Sequence, residues 1–247
     1  MSLLFPEKYY LFYFLALIAE ILGTVSGFGS SILFVPLAAY FFDFHEVLGI
    51  TALFHVFSNL SKMFLFREGI NIHIVKTMGI SAILSVIIGA VISKYAPVKE
   101  LEIFLSIFMI AISILLLTGI QKKVHASNTN LIIGGSLSGF IAGLIGTGGA
   151  IRGITLAAFQ IEKNTFISTS AIIDMGVDSS RLLIYIYNGF IQTNFLYMIP
   201  ALILISMLGS WIGKKILIQL SESVFQKIVL GVIFTLALVQ LIKNIFY

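Results

Sequence analysis

Long apolar segments separated by short polar stretches run along the whole chain. A helix needs about 20 apolar residues to cross the core of a bilayer, and several of these segments reach that length. A bilayer admits only helices and closed barrels, and the alternating pattern of barrel strands is absent, so the sequence predicts an all-α polytopic transmembrane bundle. Glu20 is the only charged residue in segments 9–26, 47–57, 77–93, 103–120, 131–151, 164–173, 182–213 and 228–242.

The chain repeats itself at a fixed separation. Gly27–Ser30 is followed by the Leu-Ala-Ala block Leu37–Ala39, and Gly146–Gly149 is followed by the same block at Leu156–Ala158. Both matches have a separation of 119 positions. Chance agreement of two motifs in one register is improbable, which indicates a duplicated unit.

A polar stripe follows each motif in the same register. Its members are spaced i, i+4, i+7 and therefore share one helical face. We infer one membrane domain, 1–247, made of repeat 1 at 1–125 and repeat 2 at 126–247. The first stripe consists of His55, Asn59 and Lys62, and the second of Asp174, Asp178 and Arg181.

Each repeat is expected to form a glycine-broken helical hairpin and three spanning helices. The second arms of the hairpins, 29–42 and 148–160, would rise only about 20 Å as helices. That is too short for a core of about 30 Å, so the glycine breaks should lie inside the membrane, where irregular backbone lines a cavity. The spanning helices are predicted at 45–66, 73–95, 99–120, 164–187, 193–213 and 224–243.

If each hairpin returns to its own side, a repeat crosses the membrane three times and the two repeats are inverted. The face richer in Lys and Arg is expected to be cytoplasmic. Inverted repeats with paired broken helices predict a transporter whose site lies between the repeats. The richer face would carry Arg67, Lys76, Lys122, Lys123, Lys163, Lys214, Lys215 and Lys227, and the other Lys8, Lys94, Lys99 and Lys243.

Six charged residues are predicted at membrane depth or near its edge. A charge there costs a few kcal/mol at least, so such residues usually face the protein interior and serve a function. The alternative is that they form structural ion pairs or snorkel, which suits Lys62 and Arg181 because both lie near helix ends. The basic set is Lys62, Arg152 and Arg181, and the acidic set is Glu20, Asp174 and Asp178.

Arg152 is the sharpest candidate for a substrate-binding residue. It follows Gly148 and Gly149 in the first turn of a short helix, where backbone N–H groups lack partners and the helix dipole is positive. A guanidinium beside free N–H groups suits sulfonate-like or carboxylate oxygens. Ser30 and Ser31 open the matching helix and can donate hydroxyls. Alternatively, the glycines only allow close helix packing.

Asp174 is the first candidate for a proton-coupling group. An unpaired carboxylate near the middle of a membrane helix favours its protonated form. Glu20 and His55 are the next candidates. The alternative is a salt bridge from Asp178 to Arg181 and from Asp174 to another helix.

Other signals bear on partners and cofactors. The net charge of +4 indicates basic loops facing anionic lipid and no nucleic acid. Zero cysteines and scattered histidines predict no metal and no cofactor. We interpret Tyr185 and Tyr187 as aromatic residues at the membrane interface.

The two glycine motifs, Pro36-Leu37 and the helices of Asn59 and Asp178 resemble the TauE/SafE sulfite exporter family over nearly the whole chain. The resemblance implies a permease of the cytoplasmic membrane, built from two homologous halves, for sulfite, organosulfonates or related oxyanions. The family's glycine motifs map onto Gly27, Gly29 and Ser30, and onto Gly146, Gly148 and Gly149. This chain differs from the family pattern at two places. It has Ser30-Ser31 where a longer glycine run is common, and Thr155 where the first copy has Pro36.

We therefore expect a proton-coupled carrier, not an enzyme, that alternates access around a small anion. The anion would be held by the glycine tips, the two serines, Asn59, Lys62, Arg152, Asp178 and Arg181. An anion channel of the same fold is the first alternative, and an intramembrane enzyme using Asp174 and Asp178 is the second. The expected partners are the anion and the lipid bilayer, and a homodimer is one possible assembly.

Overall fold

The computed structural model describes residues 9–67, 69–118, 124–217, 231, 234–238 and 241–242. Within these residues the chain is helical and has no strand. A 3₁₀ turn at Thr193–Phe195 precedes the last of the named helices. The α-helices are α1 Tyr10–Ser26, α2 Ser31–Ala38, α3 Phe44–Leu65, α4 Ile72–Ser93, α5 Val98–Thr118, α6 Asn128–Ile145, α7 Gly149–Ala157, α8 Lys163–Tyr187 and α9 Ile199–Leu217.

Five of these helices, α3, α4, α5, α6 and α9, are long and apolar enough to cross a membrane. α1 is apolar and 17 residues long, and α8 is 25 residues long and carries the second polar stripe. The all-α polytopic fold is thus confirmed. The predicted helix 224–243 falls largely outside the described residues. The division into repeats 1–125 and 126–247 and their inverted orientation stay predictions.

Two glycine-broken hairpins lie where the sequence places them. α1 ends at Gly27 with φ 75°, and α6 ends at Gly146 with φ 82°, a left-handed conformation that favours glycine at a helix C-terminus. The short helices then fold back. The ring of Phe12 in α1 lies 5.7 Å from that of Phe34 in α2, and Gly134 in α6 packs against Thr155 in α7.

Two helix pairs, α4 with α6 and α1 with α9, pack around small residues. On α6, glycines four residues apart let its backbone approach α4 so closely that any added Cβ would meet an α4 carbonyl. On α9, Gly209 and Gly213 meet Glu20 and Thr24 of α1 in the same manner. The α6–α4 contacts join Gly135 to Met78, Gly139 to Ala82 and Gly143 to Val86.

α3 and α8 face each other across the centre of the bundle. The Asn59 amide of α3 donates a 2.7 Å hydrogen bond to the Asp178 carboxylate of α8. These residues are 119 positions apart, so they are matched positions of the two repeats. A direct contact between matched positions places both polar stripes on the same interface.

The helix ends sort into two groups. At one end, which we call the Lys163 end, Lys214 of α9 donates to the Leu65 carbonyl and Gly69 packs against Thr165. At the opposite end, the Lys94 end, the Lys94 ammonium lies 5.9 Å from the ring centroid of Tyr187. The site described next lies between these two ends.

Candidate functional site

The tips of the two hairpins meet at the centre of the molecule. The carbonyl of Phe28 lies against Gly149, and the hydroxyls of Ser31 and Thr147 are 3.2 Å apart. A Cβ would be crowded at Gly149 and strained at Gly29. Because glycine has no Cβ, the two backbones can approach each other here. The tips thus bring two helix N-termini, those of α2 and α7, to one place.

A cavity of about 20 Å³ lies at the meeting point of the tips and the polar stripes. It collects most of the residues that the sequence predicts for the site. Gly27 lines a neighbouring cavity of similar size, while Glu20 and Ser30 lie outside both linings. The predicted residues that line the central cavity are Gly29, Ser31, His55, Asn59, Lys62, Gly146, Gly148, Gly149, Arg152, Asp174, Asp178 and Arg181.

Arg152 reaches from α7 to the second stripe. Its Nε donates to the Ser170 hydroxyl at 2.8 Å, and its Nη1 donates to the Asp174 carboxylate. Its Nη2 lies 3.5 Å and 3.2 Å from the positions that a Cβ would take at Gly29 and Gly149. One edge of the guanidinium is therefore held by α8, and the other faces both tips.

Arg181 closes the C-terminus of α6. Its Nε donates to Asp178 at 2.7 Å, and its Nη1 donates to the carbonyls of Ala142 and Gly146 at 3.0 Å and 2.8 Å. A cation at a helix C-terminus is stabilising, because the helix dipole is negative there. Since only 1% of Arg181 is exposed, the snorkelling interpretation is wrong for this residue.

Tyr185 corrects another expectation. It is fully buried, and its hydroxyl donates to the Gly143 carbonyl at 2.7 Å. The sequence interpretation placed it at the membrane interface, whereas Tyr187 is 87% exposed. Tyr185 therefore supports the C-terminus of α6 beside Arg181.

Lys62 also does not snorkel. Its ammonium lies 2.9 Å from Glu20 Oε1 and donates to the Ser58 hydroxyl at 2.8 Å. Only 6% of the residue is exposed. The three bases thus each pair with one acid, in the pairs Lys62–Glu20, Arg152–Asp174 and Arg181–Asp178, as the ion-pair alternative expected.

Glu20 is the most heavily hydrogen-bonded of these carboxylates. It accepts from hydroxyls on α1, α3 and α9 and from Ser30 at the start of α2. The sequence analysis missed Ser58 and Ser210, because nothing in an apolar helix marks which serine points at a charge. The donors are Ser30 at 2.5 Å, Ser58 at 2.7 Å, Ser210 at 2.7 Å and Thr24 at 3.2 Å.

His55 continues from Glu20 towards the cavity. Its Nε2 lies 2.9 Å from the Ser30 hydroxyl, and its Nδ1 lies 2.7 Å from the Thr51 carbonyl. The residue is 5% exposed and lines the cavity. The first stripe is thereby connected through one hydroxyl to the carboxylate of α1.

A larger cavity of about 270 Å³, which we call the vestibule, lies beside the first tip towards Lys163. Its wall includes Gly27, Phe28, Gly153 and Ile167. Gly27 and Ile167 also line the small cavity next to the central one. The vestibule therefore shares part of its lining with the small cavity, which in turn shares Gly29 and Asn59 with the central one.

The matching region at the Lys94 end is filled. Gly153 of the vestibule corresponds to Phe34, which stacks on Phe54 with ring centroids 4.5 Å apart. Lys163 and Ile167 correspond to Phe44 and Leu48, both fully buried. One end of the bundle is thus open where the other is packed with apolar side chains.

Among the residues that the structure describes, no group of three His, Cys, Asp or Glu side chains could hold a metal ion. The central cavity offers instead guanidinium, amide, hydroxyl and backbone N–H donors. Such a set is suited to oxyanions.

A comparison with family models matches residues 12–239, nearly the whole chain, to "Sulfite exporter TauE/SafE". No curated protein and no solved structure matches the chain. The family is one of membrane transporters for sulfite and related sulfur anions, which agrees with the expectation of a transporter. Together with the apolar helices and the paired glycine hairpins, this match shows that the chain belongs to the TauE/SafE sulfite exporter family.

Proposed function

We propose that the chain is a secondary carrier that moves a small sulfur-containing anion across the cytoplasmic membrane by proton-coupled alternating access. Sulfite, an organosulfonate or a related oxyanion is the substrate class. The observation that carries the proposal is the position of Arg152, whose Nη2 faces Gly29 and Gly149 at the meeting point of both hairpins.

The donors around this point are of the kinds that bind the oxygens of a sulfur oxyanion. The guanidinium offers directed N–H groups, and the first turn of α7 offers backbone N–H groups with a positive dipole. Ser31 and Asn59 add a hydroxyl and an amide from the first repeat. The anion would therefore contact both repeats at once, as a carrier that alternates between two arrangements requires.

The size of the central cavity supports a closed conformation. A volume of about 20 Å³ is room for about one water molecule, less than a sulfur oxyanion needs. The tips must separate for the anion to enter. The vestibule gives the shorter route, from the Lys163 end, and the packed side chains around Phe34 would have to move for the route to the Lys94 end.

Proton coupling belongs to the same proposal. The three ion pairs cancel, so an entering anion adds charge that no residue of the pairs balances. Unbalanced charge in a buried site is costly, and a proton entering with the anion removes that cost. The groups near the cavity that could accept it are Glu20 and His55, which are buried, and Asp174, which is half-buried.

Counterflow in proteoliposomes tests the carrier against a channel of the same fold. Vesicles preloaded with unlabelled sulfite or taurine should accelerate the uptake of the labelled anion. A pore would show no acceleration. A thermal-shift screen of sulfite, sulfate, thiosulfate, taurine and carboxylates on the purified protein would identify the anion to use, because a ligand that binds only the folded state raises its stability.

Arg152→Lys tests the site itself. Lysine keeps the charge but loses the planar fork, so we expect anion affinity to fall by about 10- to 100-fold, the equivalent of one charged hydrogen bond. Arg67→Lys is the matched control, because Arg67 is exposed at the Lys163 end and donates to the Phe64 carbonyl. Wild-type affinity in Arg152→Lys would contradict the proposed site.

A further inference from the structure

We propose that Glu20, Ser30 and His55 form a relay that holds one proton before the anion binds and carries it across the membrane together with the anion. The inference rests on the proposed carrier and identifies the group that couples it to protons. The relay is built from three elements: Glu20 lies on α1, Ser30 caps α2 and His55 lies on α3.

The first step concerns the carboxylate of Glu20. Its Oε1 accepts from the hydroxyls of Thr24, Ser58 and Ser210 and lies 2.9 Å from the Lys62 ammonium. An oxygen with four donors around it has no lone pair left for a proton. Any proton on Glu20 must therefore sit on Oε2, which faces Ser30 at 2.5 Å.

The second step concerns the imidazole of His55. Its Nδ1 lies 2.7 Å from the Thr51 carbonyl, which can only accept, so Nδ1 carries a hydrogen. The remaining nitrogen, Nε2, faces the Ser30 hydroxyl at 2.9 Å. A neutral ring would therefore present a bare lone pair at Nε2.

The third step is the hydroxyl between them. Ser30 has one hydrogen, and it lies within hydrogen-bond distance of both Glu20 Oε2 and His55 Nε2. If the carboxylate is ionised and the ring neutral, both neighbours are acceptors and Ser30 can donate to only one. The other contact would set two lone pairs against each other in a buried site.

One additional proton resolves the conflict in either of two ways. On Nε2, it lets His55 donate to Ser30 while Ser30 donates to Glu20. On Oε2, it lets Glu20 donate to Ser30 while Ser30 donates to His55. The two arrangements interconvert when one hydrogen moves between His55 and Ser30 and another moves between Ser30 and Glu20. The proton is therefore shared between α1 and α3 without crossing solvent.

The charged groups around the relay determine what the proton does for the anion. α3 contributes Lys62 and α7 contributes Arg152, and α8 contributes Asp174, Asp178 and Arg181. α9 faces Glu20 with the hydroxyl of Ser210. With Glu20 ionised these charges sum to zero, so the relay proton gives the site a charge of +1 that one monoanion neutralises.

The second repeat has no counterpart of this relay. The residues matched to Glu20, Ser30 and His55 are Gly139, Gly149 and Asp174, and Asp174 is held by Arg152. With one such relay among the residues that the structure describes, one proton moves in each transport cycle. The carrier should therefore move protons and monoanions in a ratio of about one to one, in the same direction.

Spectroscopy on the purified full chain at about pH 7 tests whether the relay holds the proton. ¹⁵N-histidine NMR, assigned by the signal lost in His55→Gln, should show both ring nitrogens of His55 protonated. If the proton is on Glu20 instead, infrared spectra should show a protonated carboxyl that is absent in Glu20→Gln. A neutral His55 ring together with an ionised Glu20 would overturn the proposal.

The proton-to-anion ratio in proteoliposomes tests coupling. Proton entry, read by an internal pH dye, is divided by the uptake of labelled sulfite or taurine, so a slow variant is still informative. His55→Gln should lower the ratio from about one towards zero. His45→Gln is the matched control, since His45 is on the same helix but bonds the Ser93 carbonyl at the Lys94 end.

Asp174→Asn separates the relay from the other candidate. If the relay carries the proton, this variant keeps a ratio near one, whereas a ratio near zero in Asp174→Asn with a normal ratio in His55→Gln would overturn the relay. Counterflow in the wild-type chain is measured in the same vesicles. Loss of counterflow refutes the carrier, while counterflow without proton entry refutes the relay alone.

Discussion

The two predicted repeats place different chemistry on the same backbone devices. Each has a helix ended by a left-handed glycine, a short returning helix and a polar stripe, and the stripes meet at Asn59 and Asp178. In the first repeat, Lys62 pairs with Glu20 directly, and His55 reaches the same carboxylate through the Ser30 hydroxyl. In the second, two guanidiniums bond carboxylates directly. At matched positions, His55 therefore contacts a hydroxyl, whereas Asp174 contacts a guanidinium.

Glu20 and its matched residue Gly139 show how packing permits this difference. Glu20 has its side chain against Gly209 of α9, where the missing Cβ leaves room for the carboxylate. Gly139 instead lies against the Ala82 carbonyl of α4, where no side chain fits. The tighter helix pair therefore excludes a carboxylate, and the acid of the second repeat is found on α8.

The strongest test of this comparison places the residue of the first repeat in the second. Gly139→Glu would drive a Cβ into the Ala82 backbone and bury an unpaired charge. We expect a loss of more than about 3 kcal/mol, seen as loss of the monodisperse peak in size-exclusion chromatography. Gly79→Ala on α4 is the control, because its Cβ would lie at an ordinary 3.6 Å from Ile173. A well-folded Gly139→Glu would show that α4 and α6 can separate.

The two matched cations should differ by a smaller amount. Removing one partner of a buried ion pair costs about 3–5 kcal/mol, which applies to Lys62→Met and Arg181→Met. Arg181→Met also removes the side-chain donor of the Gly146 carbonyl, so it should cost about 1–3 kcal/mol more. Thermal unfolding in detergent compares them, with exposed Lys215→Met as the control. Equal losses would mean that capping α6 contributes nothing.

The smallest effect is expected where the repeats differ by one hydroxyl. Tyr185 corresponds to Phe66, so Tyr185→Phe makes the second repeat resemble the first. Loss of the bond to Gly143 should lower the free energy of unfolding by about 1 kcal/mol. Tyr187→Phe, at an exposed position, should change nothing. If the two variants have the same free energy of unfolding, the Tyr185 hydrogen bond does not contribute to stability.

Much of the site could be predicted because the repeat fixes a register. Once Gly27 and Gly146 are matched, the stripes at Asn59 and Asp178 follow from helical spacing alone. The hairpins follow too, since their second arms are too short to cross. These features depend on local chain geometry, which the sequence expresses directly.

The partners of the charges could not be predicted, because they depend on how helices rotate against one another. Ser58 and Ser210 bond Glu20, while Ser61 and Ser206 bond carbonyls of their own helices, and the two kinds look alike in sequence. Lys62 near a helix end is compatible with snorkelling until α1 is known to lie beside it. The 3₁₀ turn before α9 likewise moved its start from the predicted 193 to Ile199.

The helix pairs of the bundle also have a consequence for how the protein is made. Of the named helices, α1 is synthesised first and its packing partner α9 last. Glu20 therefore enters the bilayer before Ser210 exists, and α4 waits with its backbone exposed for the glycines of α6. The contacts of α1 with α9 can therefore form only after the last of the named helices has been synthesised, so the folding of the first half is completed by the second.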